Sequence, residues 1–184
     1  MNQLQKAILK ADRELQEEGR RQILMIHGAA AVALRNKWKY SKEKINQVFE
    51  ATDKVWHEIG NDNRVSMLAK LEEETGIEMT ITNSSASWHD LAFLNDSGDY
   101  MDNITGFQFL AMRKRQRQWI GAMVQASLYL ALFREFGWGV VKLRNLMNEI
   151  DRIRSEQHDK ELKIIELCFN ETGIDCVKSF CEGY

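Results

Sequence analysis

The chain's densest cluster of potentially interacting side chains is Arg113-Lys114-Arg115-Gln116-Arg117, flanked by Phe107, Phe109 and Trp119. Guanidinium and ammonium groups beside aromatic rings suit phosphate backbones or acidic protein grooves. From Arg113 to Arg154 nine basic residues face three acids, although the whole chain carries −2. One surface can therefore be basic while the remainder is acidic, and the acidic part could in turn mimic nucleic acid. Lys142 and Arg144 extend the basic set onto the helix that follows Gly137-Trp138-Gly139. Arg113, Lys114, Arg115, Arg117, Lys142 and Arg144 are thus the candidate contacts for a partner or for nucleic acid.

The other reactive residue types give weaker patterns. His27, His57, His89 and His158 form no H-x-x-x-H or H-E-x-x-H pair, so zinc hydrolysis lacks its ligand spacing. His27 sits among apolar residues and reads as a hydrogen-bonded core or boundary histidine. Cys168, Cys176 and Cys181 lack the close pairs of a zinc site and are odd in number. They read as reduced thiols, as in a cytoplasmic protein. Glu72-Glu73-Glu74 point in different directions on a helix and read as a solvated face. Phosphate-binding glycine loops and a G-x-S-x-G elbow are missing from the sequence. No catalytic, cofactor or metal site is expected.

The elements that must carry these residues read as helices. With no proline among 184 residues, nothing prevents long ones. Leu4, Ile8, Ala11 and Leu15 share one face over 3–18; Gly19 either breaks that helix or is passed through. Residues 20–37 read as a buried helix, and Ser41 as the N-cap of the next. A short helix over 65–75 ends at Gly76. Ile77, Met79 and Ile81 then alternate with polar residues, as in a short strand. Trp88 to Leu94 suit a short helix, and Asn95 to Asp99 form the strongest loop signal. Helices follow over 106–136, 140–155 and 159–172, with Gly173 ending the last and Ile174–Val177 suiting a second strand. No apolar stretch approaches the ~20 residues that span a bilayer, and the polar N-terminal residues are not a secretory signal.

The second half repeats the first at an offset of ninety-eight. Met25-Ile26, Ala33-Leu34, Lys44-Ile45, Val48-Phe49 and Asp53-Lys54 return as Met123-Val124, Ala131-Leu132, Lys142-Leu143, Leu146-Met147 and Asp151-Arg152. One deletion later, Glu74-Thr75-Gly76-Ile77 returns as Glu171-Thr172-Gly173-Ile174. The expected fold is all-α: two tandem three-helix modules, 1–97 and 98–184, sharing a core. Each module ends in one short strand, and the two strands pair across a pseudo-twofold axis. Tyr40 and Trp138 align and suggest an aromatic wedge at each helix corner. Internal symmetry can replace a homodimer or help to build one.

The segment Ala131-Leu132-Phe133-Arg134-Glu135-Phe136-Gly137-Trp138-Gly139, then Lys142-Leu143, then Glu171-Thr172-Gly173-Ile174, resembles small helical Firmicutes phage and prophage proteins. It matches over about residues 120–176. Some members of that group are inhibitors of the type II CRISPR effector nuclease. The resemblance implies a non-enzymatic protein of the host cytoplasm whose partner is an RNA-guided defence nuclease, with double-stranded DNA as an additional contact. Helix, Gly137-Trp138-Gly139, helix also has the outline of a helix-turn-helix. The alternative is thus a DNA-binding regulatory protein; an ordinary helical hairpin has the same outline.

Overall fold

The computed structural model describes residues 3–60, 66–80 and 106–181. These form seven α-helices and, among the described residues, no strand. They are α1 (Gln3–Trp38), α2 (Lys42–Gly60), α3 (Ser66–Thr75), α4 (Gly106–Phe136), α5 (Val140–Glu156), α6 (Glu161–Thr172) and α7 (Cys176–Cys181). The loop expected at 95–99 and the short helix expected at 88–94 lie outside the described residues, as does the end of the first expected strand.

Two long helices form the centre. α1 runs through Gly19 without a break, and there the helix lies against Ile120 of α4. Its first half is amphipathic. Its second half, Ile23 to Leu34, is buried almost all round, as expected of a helix enclosed by others. Trp119 to Leu132 of α4 behaves the same way. The two helices are parallel and nearly in register with the sequence repeat. Leu4 meets Gly106, Asp12 pairs with Arg113, Gln22 lies on Gly121, and Tyr40 bonds to Trp138. The shorter helices cross over: α5, α6 and α7 pack on α1, whereas α2 and α3 pack on α4. Each half of the sequence thus covers the long helix of the other half. α2 makes only minor contact with α1, and α5 with α4.

The two corners have matching backbones. The Tyr40 amide donates to the Leu34 carbonyl at 3.1 Å, and the Trp138 amide to Leu132 at 3.1 Å. The residue before each aromatic is left-handed: Lys39 at φ 58° and Gly137 at φ 64°. Glycine adopts that region freely, but a side chain there costs about 1–2 kcal/mol. The aromatics pack on each other rather than each within its own corner. Trp138 Nε1 donates to Tyr40 Oη at 3.1 Å, and the rings meet edge to face. Ser41 caps α2 as expected, accepting from the Lys44 amide at 3.2 Å.

The repeated Glu-Thr-Gly-Ile has a local cause. Thr75 Oγ1 donates to the Leu71 carbonyl and accepts from the Ile77 amide. Thr172 Oγ1 does the same with Cys168 and Ile174. Each hydroxyl satisfies a terminal carbonyl and fixes the chain's exit, and a left-handed glycine turns it. Beyond this point the halves diverge, and the strand expected over 174–177 is not formed. Asp175 instead accepts from the Lys178 amide at 3.2 Å and caps α7. Glu78 holds the corresponding place in the first half, and glutamate is not among the favoured caps. The expected pairing of two strands therefore fails with the second strand. α6 starts two residues later than expected because His158 and Asp159 turn the chain at φ 53° and 50°.

Two substitutions test these close approaches. Lys39→Gly should raise stability by about 1 kcal/mol in a denaturant melt by relieving the left-handed side chain. Gly28→Ala should lower it by about 1–3 kcal/mol, since the new Cβ would stand 2.9 Å from Ile164 Cγ2. Neutral results at both positions would contradict the packing described.

Candidate functional site

The basic cluster lies two turns inside α4, not at its start, because the helix begins at Gly106. The macrodipole therefore imposes little cost on it. Acids on the parallel α1 take up much of its charge: Arg113 Nε stands 2.7 Å from Asp12, and Arg117 Nη1 donates to Glu14 at 2.9 Å. Lys114 is exposed. Arg115 belongs to the helix, but its side chain lies outside what the structure describes.

Further along the basic segment, Arg134 forms a two-pronged bond to Glu74, at 2.9 and 2.5 Å. That guanidinium holds the Glu74 carboxyl below its ordinary pKa. Arg152 is held by Glu149 and Glu156, and Arg154 by Asp159. Lys142 Nζ sits 4.0 Å from the centre of the Trp138 ring. Its counterpart Lys44 sits 4.2 Å from the Tyr40 ring. A cation–aromatic contact made in both halves belongs to the corner's construction. Arg144 is exposed. Of the described candidate side chains, Arg113 and Arg117 are paired with α1 and Lys142 packs on Trp138, whereas Lys114 and Arg144 are exposed.

A different site emerges around His27. A cleft of about 390 Å³ opens between α1, α2, α4 and α7. Its apolar walls are Ile23, Phe49, Trp56, Val124 and Phe180. Its polar mouth includes Asn46, Glu50, Asp53 and Lys178. The His27 ring packs on Phe49 at 4.8 Å and meets Phe180 edge-on at 5.4 Å. The sequence suggests a hydrogen-bonded histidine there. Instead, Nε2 is buried without a hydrogen-bond partner among the described residues. Burial holds the ring neutral, pushing its pKa down to about 3. Position, rather than motif, produces this site. His27 is one residue within an apolar helix, and its aromatic neighbours come from α2 and from a seventh helix that the sequence pattern does not suggest.

The second half has no copy of these walls. Gln125, Met147 and Arg154 stand ninety-eight positions after His27, Phe49 and Trp56. The aromatic cleft is therefore not a requirement of the repeated fold. Elsewhere, Cys168 and Cys176 are buried free thiols, the second of them beside Gly28 of α1. Among the described residues no cluster of three or more His, Cys, Asp or Glu side chains could hold a metal ion. No described helix is long and apolar enough to cross a membrane.

Compared with models of known protein families, with curated proteins and with solved structures, the chain matches none.

His27 makes stability depend on pH with a defined sign. The unfolded chain binds a proton at this ring below its ordinary pKa of 6.5, while the folded chain does not until about 3. The stabilisation is complete above about pH 6.5 and is lost progressively as pH falls toward 3. His27→Phe keeps the aromatic packing and removes the titration. Melting temperature should fall between pH 6.5 and 5 in the parent and clearly less in the variant. Equal slopes would show that His27 is not held neutral.

Proposed function

We propose that the chain is a non-enzymatic binding protein of phage type that disables a host defence nuclease. The favoured target is the RNA-guided nuclease of type II CRISPR systems. One observation carries the protein-binding part of this reading: the second half exposes apolar side chains where the first half is charged. Val141 is 75% exposed and Phe169 58% exposed; their counterparts are Glu43 and Glu72. Leu162, 74% exposed, stands seven residues before Phe169 and so on the same face of α6. A fold built twice does not require this difference, and exposed large apolar groups are what a protein partner buries.

The resemblance of residues 120–176 to small helical phage and prophage proteins, some of which inhibit that nuclease, supports a phage origin and through it this target. Occupying a nucleic-acid or domain-movement surface of the nuclease suffices for inhibition, so no chemistry is needed from the chain. Charge then chiefly sets orientation and on-rate. The intramolecular pairing of Arg113 and Arg117 favours this reading over duplex binding. Replacing both with Gln should leave the salt dependence of any DNA affinity nearly unchanged, since cations already neutralised by acids release few counterions.

The direct test is a cleavage assay with guide-loaded effector nuclease and increasing amounts of the protein. Inhibition is expected, and Leu162→Glu with Phe169→Glu should weaken it by about tenfold or more while leaving the melting temperature intact. Undiminished cleavage at large molar excess, with no complex on a sizing column, would reject the proposal.

A further inference from the structure

The His27 cleft shares no residue with the exposed apolar set of α5 and α6, so its role is argued independently of the protein partner. Its volume, about 390 Å³, lies within the range of small-molecule sites. Three aromatic rings line it, Phe49, Trp56 and Phe180, and rings of this kind attract cations to their faces. Two hydroxyls also reach the lining, Thr52 and Ser127. Each already donates its proton, Thr52 to the Val48 carbonyl at 2.8 Å and Ser127 to Val124 at 2.9 Å. Both residues are almost wholly buried, and neither has a proton left to donate to a ligand.

The charges at the mouth point the same way. Glu50 and Asp53 are three residues apart on α2 and line the cleft together. Lys178 on α7 is the one charged cation in the lining, since the buried His27 ring is neutral. The cleft is therefore rich in acceptors, net negative and walled by aromatics. An anion would meet two carboxylates and one ammonium. An amine would meet aromatic walls and two carboxylates.

From this geometry we infer that the cleft binds a small organic amine: a protonated ammonium group on an apolar or aromatic body. The body lies against Trp56 and the packed pair of Phe49 and Phe180, whose ring centroids are 4.5 Å apart, and the ammonium lies toward Glu50 and Asp53. The neutral His27 ring, its Nε2 buried without a partner among the described residues, forms part of the wall beneath the ligand. A buried polar group without a partner costs stability, and a ligand-binding role accounts for a histidine at this place. That the second half does not repeat His27, Phe49 and Trp56 fits a feature that serves binding rather than folding.

The probe is 2-phenylethylammonium, with 2-phenylacetate as an anion of similar shape, titrated into the full chain by calorimetry at pH 7. The ammonium should bind saturably with Kd below about 1 mM, a reasonable affinity for so small a ligand. The carboxylate should bind at least about tenfold more weakly. Glu50 is exposed, so Glu50→Gln should leave the melting temperature unchanged while weakening the ammonium by about fivefold or more. Equal affinity for the two probes, no saturation by the ammonium below about 10 mM, or an unaltered Glu50→Gln variant would each overturn the assignment. None of these outcomes depends on whether the chain inhibits a nuclease.

Discussion

The parallel contact between α1 and α4 governs the structure. These helices bury their apolar stretches mainly through one another and through the crossed-over short helices. Small residues are frequent in both buried stretches: Ala29, Ala30, Ala31 and Ala33 on α1, and Ala126 and Ala131 on α4, are all essentially inaccessible. Close approach of helix axes needs small side chains at the contact. Around the two aligned long helices, α5 and α6 settle mainly on α1, and α2 and α3 mainly on α4. The arrangement is that of two interleaved partners within one chain. Residues ninety-eight apart in sequence become neighbours, and ions pair across the same seam, Asp12 with Arg113 and Glu14 with Arg117.

Much of this was legible in the sequence because local rules set it. Ser41 as a cap, Gly76 and Gly173 as terminators, and the bounds of α4 follow from capping, left-handed backbone and helical period, none of which needs a distant partner. The crossover was not legible, because a repeat specifies which faces are apolar but not which copy covers them. The second strand failed where one carboxylate differs: Asp175 is short enough to cap a helix, while its counterpart Glu78 is not so suited. The basic run was legible as charge, yet its neutralisation by α1 was hidden, since Asp12 and Glu14 lie a hundred residues away. His27 was visible as a residue but not as a site. Nothing in its neighbourhood on α1 announces Phe49 and Phe180 beside it.

Comparison between the halves separates what the fold needs from what it does not. The corner lysines Lys44 and Lys142, the terminal threonines and the left-handed glycines occur in both halves and make the same bonds in both. The aromatic cleft uses His27, Phe49 and Trp56 of the first half without aromatic counterparts in the second, and the exposed Val141 and Phe169 stand where the first half has glutamates. The proposed amine cleft and the exposed apolar side chains of α5 and α6 share no residue. A rigid pair of central helices would hold both in fixed relation.

The claim beneath all of this is that equivalent residues of the two halves meet, and the Tyr40–Trp138 bond is its most direct expression. A double-mutant cycle with Tyr40→Phe and Trp138→Phe, read by denaturant unfolding, isolates that pair from the lysine and Trp38 contacts that Trp138 also makes. A buried hydrogen bond predicts a coupling energy of about 1 kcal/mol between the two sites. Strict additivity would mean that the corners do not touch and that the halves do not interleave as described.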